Sequence, residues 1–195
     1  MPTTVLHFIS FLLIFALPPL ARAQSTEIGQ LKTDIAALEQ ALANHRVKNP
    51  YIVIDTKHNR LQIWQNNQLQ REATCATGSG KVLLYPGKSD QWQFHTPLAT
   101  RTVLHKVVDP IWAKPVWAFV ENREEPPILL WEARRLDLTT LGAYALKLGD
   151  GYEIHGTLYP SLLGRHITHG CIRLNDDDLA FAYRTLHVGD RVYIY

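Results

Sequence analysis

The chain has 195 residues, 46% hydrophobic and 19% charged, which suffices for one well-buried core and falls short of two ordinary domains. A net charge of +2, with Lys and Arg scattered, provides no basic stripe and argues against a nucleic-acid partner. Only two cysteines, Cys75 and Cys171, are present, so a disulfide scaffold is excluded, and Cys75 is expected to be a small core residue kept apart from Cys171.

Residues 5–17 form an apolar run shorter than the roughly 18 residues of a membrane-crossing helix. The run reads as a signal-peptide core. Pro18 and Pro19 break it, and Ala21-Arg22-Ala23 supplies a small-x-small cleavage pattern. Residues 1–23 are therefore expected to be removed, leaving Gln24 as the mature start. With no cysteine directly after Ala23, no lipid anchor is expected, and the mature protein is read as exported without a membrane anchor.

Residues 24–49 are assigned to a helix and linker. Ile28, Leu31, Ile35, Leu38 and Leu42 recur at alternating spacings of three and four, a helical seam. Two heptads make a weak coiled coil, and a helix this short is marginal alone in water. Two roles stay open: a helix docked on its own domain or serving as a stalk, or weak self-association through residues 28–42. Asn49-Pro50 ends this segment and opens the domain of residues 50–195.

From Tyr51 the period changes to two. Residues 51–54, 61–64 and 69–77 predict an antiparallel meander, with a turn over residues 57–60 and closure at Gly78-Ser79-Gly80. That glycine pair lacks the Lys-Ser/Thr signature of a phosphate loop and reads as a turn. Residues 85–127 are loop-rich, with one strand over residues 102–108. They carry Trp92, Trp112 and Trp117, suited either to forming a lid or binding wall or to packing on the sheet. Residues 151–157 and 171–174 predict short strands. Asn175 with Asp176, Asp177 and Asp178 predicts a helix N-terminus, and residues 191–195 a closing strand.

Two His-Gly elements carry the chemistry: Ile154-His155-Gly156-Thr157, then Thr168-His169-Gly170-Cys171-Ile172-Arg173-Leu174. A cysteine after glycine, where the backbone enters a strand, is open to close approach, and the amides of Gly170 and Cys171 can face a developing oxyanion. An ordinary thiol is mostly protonated at neutral pH, so a nucleophile needs a histidine or a positive field beside it. His155, His166, His169 and Arg173 are candidates. The glycine between His169 and Cys171 disturbs their alternation, whereas a loop can return the chain to set His155 beside the thiol, so His155 is assigned as base. The competing chemistry is a zinc site of His155, His166, His169 and Cys171. No second Cys-x-x-Cys or His-x-x-x-His element accompanies it, and neither metal nor cofactor is assigned.

The paired elements resemble the signature of the bacterial L,D-transpeptidases, the YkuD-type catalytic domain. In that family a His-Gly element precedes a Ser/Thr-His-Gly-Cys-x-Arg/Asn element. The likeness extends over residues 51–195, through the opening Ile-Val-Ile-Asp strand, Thr77-Gly78, Leu141-Gly142 and Gly189-Asp190-Arg191-Val192. It departs where the family's Thr-Pro-x-Gly segment is Thr96-Pro97-Leu98-Ala99.

The resemblance implies a mainly β, sandwich-like or barrel-like catalytic domain with flanking helices, preceded by the N-terminal helix. It implies that Cys171 attacks the L-centre carbonyl of diaminopimelate in a peptidoglycan tetrapeptide stem. D-alanine leaves, and an amine of a second stem or protein resolves the thioester. If water resolves it instead, the enzyme is an L,D-carboxypeptidase or endopeptidase. By similarity His155 is the base, held by the Gly151 carbonyl, and Gly170 and Cys171 form the oxyanion hole. His169, Thr168, Arg173, Gly156 and Thr157 shape the site or bind the stem. The implied partner is peptidoglycan, and the implied location periplasmic or wall-associated.

Overall fold

The computed structural model describes residues 19–44, 47–129 and 131–195; the expected signal-peptide core lies outside them. The chain divides into two units, residues 1–46 and residues 47–195. In the first unit, α1 (Pro19–Asn44) contains the expected seam. Proline suits a helix start, where its missing N–H has no intrahelical role. The helix begins upstream of the seam, so the Ala21-Arg22-Ala23 pattern falls within it. Ile28, Leu31, Ile35, Leu38 and Leu42 are all more than half exposed. No helix among the described residues is long and apolar enough to cross a membrane.

The second unit opens with the meander read from the sequence: β1 (Tyr51–Asp55), β2 (Arg60–Gln65) and β3 (Gln68–Thr74). Next come β4 (Thr77–Gly78), β5 (Val82–Leu84), β6 (Gln91–Gln93), β7 (Ala99–Thr102), β8 (His105–Val108) and β9 (Trp112–Ala113). After α2 (Val116–Glu121) follow β10 (Leu136–Asp137), β11 (Tyr144–Gly149), β12 (Tyr152–His155), β13 (His166–Thr168) and β14 (Ile172–Arg173). The chain closes with α3 (Asp176–Thr185) and β15 (Arg191–Ile194).

A five-stranded sheet has the order β3-β2-β1-β15-β7 and a four-stranded sheet the order β14-β12-β11-β8. Alternation along the strands sends Ile52, Ile54, Leu61, Ile63 and Val192 of the first sheet, and Leu146, Ile154 and Ile172 of the second, into one apolar core. Leu179, Ala182 and Leu186 of the α3 region complete it. The architecture is mainly β with flanking helices. Cys75 is a free, fully buried member of this core. Burial pushes its thiol up to about 12.

Three local expectations change. The strand expected over residues 102–108 is two strands in different sheets. Between them the Val103 N–H donates to the O of Asp190, just before β15, at 2.9 Å and the Leu104 N–H to the O of Lys147 in β11 at 2.8 Å, so successive amides turn to different parts of the fold. Gly78 lies in β4, paired with β13, and so is not a turn residue. A Cβ there would lie 2.5 Å from Thr96 N, an approach only glycine permits. In the loop-rich middle, α2 forms after the extended Pro115 and buries Ala118, Phe119 and Val120. The Asn175 cap is present: its side chain accepts from the Asp178 N–H at 2.8 Å, while Asp178 pairs with Arg71 at 2.5 Å.

Candidate active site

The four-stranded sheet supplies the floor of the site. Lys147 is registered opposite His105 and Glu153, and His155 opposite Arg173. Cross-strand partners share a face and residues two apart on a strand share it too, so His105, Lys147, Glu153, His155 and Arg173 project together. The other face carries Leu146, Ile154 and Ile172 into the core. The polar face opens into a groove of ≈ 1210 Å³, also lined by Cys171, Thr168, His169 and Gly151. Trp92, Phe94, Trp112 and Trp117 add an aromatic wall.

Cys171 sits just before β14, at the end of a turn cross-braced by Thr168. The Thr168 hydroxyl donates to Cys171 O at 2.6 Å and accepts from the Gly170 N–H at 3.1 Å. Gly170 has φ +126°, and a Cβ on it would lie 2.8 Å from a Tyr152 ring carbon and 2.9 Å from His95 O. Only glycine fits there. The expectation that both Gly170 and Cys171 amides are open to an oxyanion changes accordingly. The Gly170 amide is engaged by Thr168, whereas the Cys171 amide donates to no acceptor among the described residues.

The Cys171 thiol donates to Gly151 O at 3.5 Å. Gly151 was expected to hold His155; its carbonyl instead faces the sulfur. His155 is 3% exposed and its Nδ1 has no hydrogen-bond partner among the described residues. A buried polar atom without a partner is uncommon in a native structure, and the Gly156 backbone acts on this ring against the effect of burial. Burial, reinforced by the Arg173 charge, lowers the imidazole to about 3. Burial, reinforced by the Glu153 carboxylate, pushes the Cys171 thiol up to about 12, against the opposing pull of the Glu153 amide, Lys147 and Arg173. At rest the pair is therefore a neutral thiol and a neutral imidazole.

The other expected residues separate by place. Arg173 lines the groove and has no carboxylate partner among the described residues; burial holds its guanidinium below the usual arginine range. His169 turns toward α2: its ring stacks on Trp117 with centroids 4.2 Å apart, and its Nε2 lies 2.7 Å from Glu121 Oε2. Gly156 and Thr157 do not line the groove. A Cβ on Gly156 would sit 3.1 Å from Gly142 Cα, and Thr157 Oγ1 accepts from the Tyr159 N–H at 3.1 Å. His166 bonds to Thr77 and Asn59, so the zinc alternative loses a ligand. No group of three or more His, Cys, Asp or Glu among the described residues is placed to hold a metal ion.

Lys147, Glu153 and His105 escaped the sequence reading. Lys147 Nζ and Glu153 Oε2 form an ion pair on the groove floor, with Glu153 only 5% exposed. For Lys147 and Glu153 the signal was present as a lysine between Leu146 and Leu148 and as Glu-x-His around Ile154.

A mainly β domain whose groove holds a thiol, a buried imidazole and a guanidinium with no carboxylate partner among the described residues defines the class. The chain belongs to the YkuD family, the L,D-transpeptidase catalytic domain, whose model matches residues 49–194. It is 30% identical over 142 residues to the Escherichia coli protein named as a probable L,D-transpeptidase, YbiS, covering 72% of this chain and 46% of that one. The chain thus spans about half the length of that relative. The solved L,D-transpeptidase from Mycobacterium smegmatis shares the fold at 21% identity and TM-score 0.53, over 75% of this chain and 58% of that one. The L,D-transpeptidase from Xylanimonas cellulosilytica does so at 17% identity and TM-score 0.55, over 77% and 62%.

Proposed function

We propose that the protein is an exported peptidoglycan L,D-transpeptidase. Cys171 Sγ attacks the L-centre carbonyl of diaminopimelate in a tetrapeptide stem while the thiol proton passes to His155. The C–N bond to D-alanine breaks, and the departing amine takes the proton back. An amine of a second stem or of a protein then attacks the thioester, the C–S bond breaks, and the amine's proton passes by way of His155 to the departing Cys171 sulfur. The observation that carries this reading is the Cys171 thiol in the same groove as a buried imidazole with an unpartnered Nδ1. Because thiol and imidazole are both neutral at rest, the proton moves as the C–S bond forms rather than from a stored ion pair.

Arg173 offers the cation for a stem carboxylate, and charge-assisted pairing with a carboxylate suits its planar fork. The aromatic wall suits the apolar faces of sugar or peptide. The test is incubation of the purified protein with tetrapeptide muropeptides followed by mass analysis. Cross-linked dimers, free D-alanine and an acyl adduct on Cys171 are expected. Tripeptides alone, with no dimer in the presence of acceptor, would identify a hydrolase, and no product or adduct would overturn the reading.

A further inference from the structure

Three backbone segments meet behind the Cys171 turn: β4 at Gly78, the loop at His95 and Thr96, and Gly170. Thr96 is 8% exposed and its hydroxyl joins all three. The Gly78 N–H donates to Thr96 Oγ1 at 2.9 Å, and Thr96 Oγ1 donates to Gly170 O at 2.8 Å. The close approach is built in, since a Cβ at Gly78 would strike Thr96 N and one at Gly170 would strike His95 O. Pro97 follows and biases Thr96 toward extended backbone, which limits how far the hydroxyl can wander.

The Gly170 carbonyl and the Cys171 N–H belong to one peptide unit. In a trans unit they point in opposite directions, so fixing one aims the other. Thr96 holds the carbonyl, and the Cys171 N–H has no acceptor among the described residues. A hydrogen bond accepted at C=O also polarises the unit and strengthens its N–H as a donor.

We infer that Thr96 is a positioning residue: by gripping Gly170 O it aims the Cys171 amide at the oxygen that becomes negative during acylation. As Sγ bonds to the substrate carbonyl carbon, the C=O π pair moves onto oxygen, the thiol proton goes to His155, and the Cys171 N–H donates to that oxygen. This deepens the acyl-transfer reading and rests on it, but it does not require that the acyl donor be a peptidoglycan stem.

The test separates oxyanion chemistry from thiol chemistry. Acylation by p-nitrophenyl acetate develops an oxyanion, whereas alkylation by iodoacetamide is a displacement at carbon that develops none. In Thr96→Val the acylation rate constant is expected to fall about tenfold or more, up to the loss of about 10²- to 10³-fold that removing a whole oxyanion donor causes. The Cys171 alkylation rate and its pH profile are expected to stay at wild-type values, and Thr96→Ser, which keeps the hydroxyl, is expected to restore acylation. Thr96→Ala serves in place of valine if that variant does not fold. Acylation equal to wild type, or acylation and alkylation falling together, would overturn the inference. Wild-type protein acylated by the ester yet inert toward muropeptides would sink the stem assignment and leave the role of Thr96 standing.

Discussion

His155 and Cys171 have departed from their ordinary pKa values in opposite directions, and each shift has a measurable consequence. Burial first, and then the Glu153 carboxylate, raise the thiol to about 12, so iodoacetamide labelling of Cys171 is expected to keep climbing above pH 9 without a plateau near neutrality. A plateau there would reveal a preformed thiolate. The imidazole is held at about 3 rather than 6.5, by burial first and then Arg173. The unfolded chain therefore binds the proton more readily than the folded one across that window. This group's contribution to stability is complete above pH 6.5 and is lost as pH falls toward 3. His155→Gln is expected to flatten the decline of Tm between pH 6.5 and 3 and to lower acyl transfer by about 10²- to 10⁴-fold, the range for a general base. Equal Tm profiles in the two proteins would show that His155 is not held neutral.

Helix α2 is short, yet it decides where His169 points. Trp117 stacks on the imidazole and Glu121 accepts from it, so the residue two before Cys171 is fastened to the aromatic wall. Both partners are partly exposed, and a contact of that kind is worth at most about 1 kcal/mol. Glu121→Gln is thus expected to leave Tm nearly unchanged while raising amide exchange over residues 116–121, read by hydrogen-exchange mass spectrometry; unaltered exchange would mean that the pair does not hold the helix. This element also marks where sequence reading stops. The meander, the Asn175 cap and the His-Gly-Cys turn are local patterns, carried by alternation, by capping chemistry or by adjacent residues. Helix α2 is a single turn and a half inside a proline-rich stretch, too short for a period to show. The division of residues 102–108 between two sheets depends on acceptors at Asp190 and Lys147, far off in sequence. Likewise the grip of Thr96 on Gly170 joins residues 74 apart, and no spacing rule reaches that distance.

Both sheets feed one core, so the residue 47–195 unit is expected to unfold as a single cooperative body. Leu61 belongs to the first sheet and Ile172 to the second, yet both are fully buried members of the same cluster, together with Cys75. Truncating either leaves a cavity that costs about 2–5 kcal/mol. With a shared core, Leu61→Ala and Ile172→Ala are expected to lower one common transition, followed identically by far- and near-ultraviolet circular dichroism. Cys75 provides an internal reporter. Its thiol, raised to about 12 by burial, is expected to react with a thiol reagent only when the core opens. Labelling of Cys75 should therefore accelerate in both variants in proportion to their loss of stability. If Ile172→Ala instead released the Cys171 turn while Cys75 stayed protected, the second sheet would be an independently melting layer, and the groove would owe its geometry to local packing rather than to the common core.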